Sequence, residues 1–244
     1  MRAADGWESA RLTGLFLASG FFCSQAESSP AHPPLTPTVR QPKKKHRKLM
    51  AMHSFGKTIT NQMETLPLEL QNACREIIAL MEKLSSQSVD VDQFCAALVE
   101  TIHAIFNLYS ANLYTVDSQN GWAVLRVGTS EEARAAQQTG HQIPFDDNSL
   151  VGKVAKLNQG IIRSFKIQDH IQFHSPIFPP AHSELAMPIV LPHNNASVGV
   201  LEVQSEKDDA FGEDHFVAFS IITTCMALVF SDTFQMNNSD RKAA

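Results

Sequence analysis

The stretch from Ser183 to Phe234 constrains the fold of this chain more than any other part of the sequence. It contains two apolar runs separated by a short polar turn, then an acidic segment and a long apolar helix, and reads SELAMPIVL, PHNNA, SVGVLEVQS, EKDDAFGEDHF and VAFSIITTCMALVFSDTF. A hairpin followed by such a helix predicts a sheet with a helical layer on one face. The other face stays available for a pocket, which favours a sensor or binding module over a catalyst.

Charge is divided unevenly along the 244 residues. Residues 1–60 carry nine Lys or Arg and three Asp or Glu, whereas residues 61–244 carry eleven and twenty-two. Because the acidic part repels a phosphate backbone, we expect no nucleic-acid partner. The four cysteines form no CxxC and no metal-ligand spacing, so we expect no metal site and a cytoplasmic location, where thiols stay reduced.

The first 60 residues do not have the pattern of a folded domain. They are rich in Pro, Ser and Thr and include a basic run at Lys43–Lys48, which predicts a disordered tail. Two other readings are a translation start at Met50 or Met52 and a signal-peptide core at Leu12–Cys23, a run too short to span a bilayer. We therefore expect no membrane span. The expected organisation is a tail at 1–60, a possible dimerisation helix at 61–89, a folded domain at 90–235 and a disordered tail at 236–244.

A heptad pattern marks the segment before the folded domain. Apolar residues recur at alternating spacings of four and three, at Leu66, Leu70, Ala73, Ile77, Leu80 and Leu84. This coiled-coil seam either packs within the domain or pairs with a copy of itself. The final helix is apolar on most of its sides, so both the sheet and a second element, either the first helix or a partner chain, must cover it. We therefore expect a homodimer. The interface candidates are Leu66, Leu70, Ile77, Leu80, Leu84, Phe230 and Phe234.

The middle of the chain alternates short elements with turns. Strands are predicted at Ser110–Val116 and Trp122–Val127, joined by a turn with an Asn-Gly pair. Two short helices and a brief buried strand at Ile161-Ile162 follow, and Asp90 with Gln93 resembles a capping box. Residues 164–182 have no period and hold three histidines and three phenylalanines, which is typical of a functional segment.

Four segments of the chain resemble the GAF domain family, in the order and at the spacing that the family has. They are Ile143–Phe145 with Asn148–Ala155, Glu184–Ile189, Val198–Val203 and Phe211–Asp214. The resemblance covers about Val91 to Phe234. It implies an α+β fold, with a six-stranded antiparallel sheet, the N- and C-terminal helices on one face, and a roof of loops and short helices at Ser130–Ala181 over the other.

The same resemblance implies a non-catalytic sensory or regulatory module of signal transduction, which binds a small molecule under the roof and acts on a partner protein or through self-association. The pocket candidates are Phe145, Phe165, Gln168, Asp169, His170, Phe173, Phe178 and Glu184. A purely structural dimerisation module without a ligand is the alternative, and an enzyme of the free methionine sulfoxide reductase type is a third reading. Fold alone does not choose among these.

The cofactor stays unknown at this point, because family members bind cyclic nucleotides, haem, bilins or small metabolites. A covalent bilin and the reductase chemistry both need roof cysteines, and none lies between Cys95 and Cys225. Cyclic-nucleotide-binding members carry an Asn-Lys pair where this chain has Gln204-Ser205, which disfavours that ligand. Haem needs an imidazole facing the pocket, for which His141, His170, His174 and His182 are available.

Overall fold

The computed structural model describes residues 56–87, 89–164 and 181–240, and for residues 232–240 it describes the backbone only. Residues 56–64 are helical. The elements that follow are α1 (Leu68–Ser86), α2 (Val91–Phe106), β1 (Ser110–Asp117), β2 (Trp122–Gly128), α3 (Glu131–Gln138), β3 (Gln142–Pro144), α4 (Leu150–Leu157), β4 (Ile161–Ser164), β5 (Ser183–Val190), β6 (Ser197–Ser205) and α5 (Glu213–Asp240). Residues 56–60 and 236–240, which the sequence assigned to the two disordered tails, are helical. The rest of both tails lies outside the described ranges, so that part stays a prediction.

The six strands form one sheet in the order β3-β2-β1-β6-β5-β4, and all neighbouring strands run antiparallel. This confirms the predicted α+β fold with its six-stranded antiparallel sheet. The two central strands are β1 and β6, and β6 also forms a hairpin with β5, which is the hairpin predicted from Ser183–Ser205. Since β6 pairs with both β1 and β5, side chains from distant parts of the chain meet on each face of the sheet.

One face of the sheet, the backing face, is covered by α1, α2 and α5. Leu113, Leu185 and Leu201 from the strands share an apolar core with helix residues such as Ile77 and Phe219, each at most 2% exposed. Helix α5 lies between β5 and α1, so all its side chains from His215 to Ser231 are buried or half-buried. The stretch Glu213–Ser231 is apolar and long enough to cross a membrane, but half of it is buried inside the chain, as is typical of a core helix.

The seam of α1 packs within the chain. Leu66 and Ile77 are buried in the core on the backing face, while Leu70 and Leu84 are half-buried against it and Leu80 is half-exposed. Leu66 and Ile77 therefore pack inside the domain, which is the first of the two arrangements predicted for the seam. At the start of α2 the capping box predicted for Asp90 and Gln93 is wrong, because the Asp90 side chain makes no capping hydrogen bond.

The opposite face, which we call the roof face, carries α4 and the edge of α3. The Ser149 hydroxyl caps α4 by accepting a hydrogen bond from the Gly152 amide at 2.9 Å. Gly199 in β6 allows the neighbouring strand to approach closely, since a Cβ there would lie 2.7 Å from the Tyr114 carbonyl oxygen. Both faces of the central strands are covered, so polar side chains such as Asn112 and Glu202 are buried there.

Candidate functional site

The roof face is divided into an apolar part and a polar part. At the apolar part, Val200 and Ala186 pack with Leu150, Val151 and Val154 of α4. Along the same strands, the register then places two rows of polar side chains side by side. One row joins Asn112 to Glu202, and the next joins Gln204, Glu184 and Arg163 across β6, β5 and β4.

These side chains form what we call the carboxylate cluster, which consists of Asn112, Tyr114, Arg163, Glu184, Glu202 and Gln204. Two neutral donors bind one oxygen of Glu202: the Asn112 Nδ2 atom at 3.1 Å and the Tyr114 hydroxyl at 3.4 Å. The Ser110 hydroxyl donates to the Asn112 carbonyl oxygen at 3.0 Å, which orients the Asn112 amide group towards Glu202.

Glu184 has a different set of partners. The Arg163 guanidinium donates to Glu184 Oε2 at 2.7 Å, and the Gln204 Nε2 atom donates to Glu184 Oε1 at 3.4 Å. The only guanidinium of the cluster thus contacts Glu184, whereas the two side chains that donate to Glu202, Asn112 and Tyr114, are uncharged. The two glutamates are diagonal neighbours on adjacent strands, so each is within range of the other's charge.

Burial and this charge distribution shift the titration of the cluster. Burial, together with the negative charge of Glu184, raises the pKa of Glu202 to about 8, although the hydrogen bond from Asn112 opposes the change. Burial also raises the pKa of Glu184, and the Arg163 guanidinium holds that rise back. Burial and the adjacent Glu202 raise the pKa of the Tyr114 hydroxyl. Near neutral pH, Glu202 is therefore mostly a neutral acid in the interior.

The Gln204 side chain of the cluster has a buried acceptor atom without a partner. Gln204 is 1% exposed, and its Oε1 atom has no hydrogen-bond partner. Buried acceptors in folded proteins nearly always accept a hydrogen bond, and a buried acceptor without one lowers stability by about 1–3 kcal/mol. Glu184 and Glu202 are 8% and 5% exposed beside it. Buried titratable groups whose pKa values are strongly shifted, and whose burial lowers stability, are typical of a functional site.

The described thiols lie in the helical layer. Cys74 and Cys95 are buried in α1 and α2, and Cys225 is half-buried in α5. Burial raises the pKa of all three thiols to about 11, so none of them is a ready nucleophile at neutral pH. Within residues 56–87, 89–164 and 181–240, no group of three or more His, Cys, Asp or Glu could hold a metal ion.

A cavity of about 390 Å³ lies away from the cluster, where the N-terminal ends of α1 and α5 meet. Glu69, Glu213 and Asp214 line it, together with Leu70 and His215. Acidic residues are favoured in the first turn of any helix, because the helix dipole stabilises negative charge there. The position of these carboxylates is thus explained without a ligand, and the carboxylate cluster remains the stronger candidate site.

Two of the pocket residues predicted from the sequence lie in the described part of the chain. Glu184 lies in the carboxylate cluster, and Phe145 is half-buried against the apolar part of the roof face. The other six, Phe165, Gln168, Asp169, His170, Phe173 and Phe178, lie outside the described residues and stay predictions. Among the dimer candidates, Phe230 packs edge-on against Phe94 in the core, and the side chain of Phe234 lies outside the described part.

Most residues of the cluster were not predicted from the sequence. Asn112, Tyr114, Arg163 and Glu202 were not among the pocket candidates, and Gln204 entered only as a departure from the cyclic-nucleotide pattern. A signal was present in β6, where Glu202 and Gln204 alternate with Leu201 and Val203. In a sheet that is covered on both faces, that alternation predicts buried polar residues rather than solvent-exposed ones.

Comparison with solved structures identifies the architecture. The GAF domain of a phosphoenolpyruvate-protein phosphotransferase from Acinetobacter is 17% identical with a TM-score of 0.55, and the match covers 71% of this chain and 99% of that one. The phycoerythrobilin-bound GAF domain of a cyanobacterial phytochrome is 13% identical with a TM-score of 0.56, covering 68% and 99%. No protein-family model matches the sequence, and no curated protein sequence matches it.

A third similar structure is an enzyme. The free methionine-R-sulfoxide reductase from Neisseria meningitidis, solved in complex with its substrate, is 18% identical with a TM-score of 0.53 and covers 67% of this chain and 91% of that one. At such identities the comparisons show the fold alone. The chain therefore has a GAF fold, as the sequence resemblance implied, and this fold is shared by regulatory domains and by reductases.

Proposed function

We propose that this protein is a regulatory GAF-fold module that binds a small molecule at the carboxylate cluster and does not transform it. The observation that carries the proposal is the buried Gln204 Oε1 atom without a partner, next to two buried glutamates with raised pKa values. A sheet built only for stability would have apolar residues at these positions, because replacing buried ion pairs by apolar residues is often stabilising. A ligand that satisfies the cluster offsets the cost of burying it.

The positions of the described thiols support a binding role rather than a reductase role. A thiolate nucleophile has to reach a ligand bound at the cluster, which lies on the roof face. Cys74 and Cys95 are in the helical layer behind the opposite face, and Cys74 contacts the Ala218 carbonyl oxygen of α5. The sheet itself separates these thiols from the cluster.

The test is to identify a compound that stays bound through purification. The full chain is purified under native conditions and then denatured, and the released small molecules are identified by mass spectrometry. We expect a stoichiometric compound from the unaltered chain and its loss from Gln204→Leu, which removes the unpartnered acceptor at nearly constant volume. Gln138→Leu on the exposed side of α3 is the matched control and retains the compound. An empty chain, or equal retention by both variants, contradicts the proposal.

A second candidate function, a dimerisation module, is favoured by one observation on α1. Leu70, Leu80 and Leu84 follow the heptad seam but remain only half-buried in the single chain. We propose that a second copy covers this stripe. Light scattering at high concentration is then expected to show a dimer that Leu80→Glu dissociates, whereas Leu157→Glu, on the roof side, leaves it intact. A monomer at every concentration contradicts dimerisation. The proposed partner protein and cytoplasmic location remain predictions.

A further inference from the structure

The carboxylate cluster combines two buried carboxyl groups and an unpartnered acceptor with a single cationic side chain. Its acceptors are the four carboxylate oxygens of Glu184 and Glu202 and the unpartnered Oε1 of Gln204. The donors directed at them are the Asn112 amide, the Tyr114 hydroxyl, the Gln204 amide and the Arg163 guanidinium. With both glutamates ionised, one guanidinium leaves a net charge of −1. When Glu202 is ionised, the cluster therefore has a surplus negative charge and an acceptor without a donor.

We propose that the cluster binds the primary ammonium group of a small aliphatic amine, held between Glu184, Glu202 and Gln204. This inference rests on the proposed function and specifies the ligand class of the same site. An ammonium group has three N–H donors and no acceptor. Gln204 faces Glu184 across the strand pair and is two residues from Glu202 on the same face of β6, so the three side chains occupy neighbouring positions on the roof face. A carboxylate or phosphate ligand has the wrong charge, and a quaternary amine has no donor for Gln204.

Binding of the ammonium is coupled to loss of a proton from Glu202. The titratable and charged groups that act on this carboxyl among the described residues are Glu184 on β5, Arg163 on β4 and Tyr114 on β1. Arg163 keeps its charge at all working pH values. Glu202 carries its proton below about pH 8 in the empty site. A cation placed against it favours the ionised carboxylate, so the ligand displaces one proton. Affinity therefore rises with pH until Glu202 is already ionised.

The experiment uses the full chain and ethylammonium chloride as the probe, by isothermal titration calorimetry. Ethylammonium has three heavy atoms, so its best attainable Kd is about 1 mM, and the titration extends to about 100 mM. We expect affinity to rise by up to about tenfold per pH unit between about pH 6 and 8. Repeating the titration in buffers of different ionisation enthalpy counts the protons released, and close to one is expected near pH 6.

Two comparisons make the test specific. Tetramethylammonium chloride has the charge but no N–H donor, and it is expected to bind at least tenfold more weakly. Glu202→Gln is expected to abolish the pH dependence and the proton release, and to weaken binding at about pH 8 by tenfold or more. Its far-UV circular dichroism is expected to match the unaltered chain, because the side chain is already neutral at pH 7. Glu131→Gln, on the exposed side of α3, leaves all of these values unchanged.

Different outcomes overturn the ammonium assignment and the proposed small-molecule binding. Equal binding of tetramethylammonium, or binding that Glu202→Gln does not alter, overturns the ammonium assignment. A neutral or anionic compound found bound at the cluster after native purification also overturns it, but leaves small-molecule binding intact. If ethylammonium fails to bind up to about 100 mM and no compound co-purifies, both the ammonium assignment and the proposed function are wrong.

Discussion

The two faces of the sheet are built from the same strands, yet they differ in what they stabilise. On the backing face, Leu201 and Val203 of β6 enter an apolar core with three helices. On the roof face, Glu202 and Gln204 of the same strand enter the carboxylate cluster, where one acceptor stays unpartnered and the pKa values of both glutamates are raised. The backing face contributes folding free energy, whereas the polar part of the roof face lowers it. Binding sites in proteins commonly carry such a local stability cost.

Core truncation on the backing face is expected to give the largest effect. Phe219 is fully buried, stacks on Phe106 at a centroid distance of 4.7 Å and meets Phe211 edge-on. Phe219→Ala is expected to lower the free energy of unfolding by about 3–5 kcal/mol, through lost burial and an unfilled cavity. Urea denaturation measures this change. Leu68→Ala, at a side chain that is 67% exposed, is the control and is expected to stay within about 0.5 kcal/mol.

Removing the cluster's guanidinium sharpens the contrast between a buried and an exposed ion pair. Arg163→Met leaves Glu184 buried without its cation, and we expect a loss of about 2 kcal/mol near pH 8. The loss is expected to shrink as the pH falls, because Glu184, whose pKa burial raises, then takes up a proton instead. Arg134→Met breaks the exposed pair with Glu100, which has the same 2.7 Å contact, and is expected to cost less than about 1 kcal/mol. Equal effects of the two variants would contradict the buried-pair interpretation.

The pH dependence of stability tests the protonation of Glu202. In the folded chain its pKa is about 8, whereas the ordinary value is 4.5, so unfolding between these pH values releases a proton. The free energy of unfolding therefore falls as pH rises through this window, by up to about 1.4 kcal/mol per pH unit for this group. Glu202→Gln is expected to remove that part of the slope. Chemical denaturation of both chains across the window measures it, and identical slopes would rule out the shifted pKa.

Helix capping on the roof side is expected to give the smallest effect. Ser149→Ala removes the hydroxyl that accepts from the Gly152 amide at the start of α4, and is expected to cost about 1 kcal/mol. Asp90 holds the same position at the start of α2 but makes no capping hydrogen bond, so Asp90→Ala is expected to cost less. Thermal unfolding of both variants compares them. A larger loss at Asp90 would contradict the assigned caps.

The backing face could be predicted from the sequence, and the roof face only in part. Apolar periodicity is a local property, so β1, β2 and β6 begin and end within about a residue of their predicted bounds. The carboxylate cluster depends instead on cross-strand register, which brings Asn112 to Glu202 over 90 positions. Glu184 was among the pocket residues predicted from the family resemblance, whereas Arg163 and Glu202 resembled ordinary strand residues. Only the combination of alternation with two covered faces identifies them as buried.

The ionisation of Glu202 tests the account most directly. Carbon-13 labelling of glutamate side-chain carboxyls, with the Glu202 resonance assigned by its absence from Glu202→Gln, allows that one group to be titrated in the folded chain. The account predicts a midpoint near pH 8, in keeping with a buried carboxyl beside a second negative charge. A midpoint near the ordinary value of 4.5 would show a solvated carboxylate and would contradict the central claim that the polar part of the roof face is a buried, ligand-accepting site.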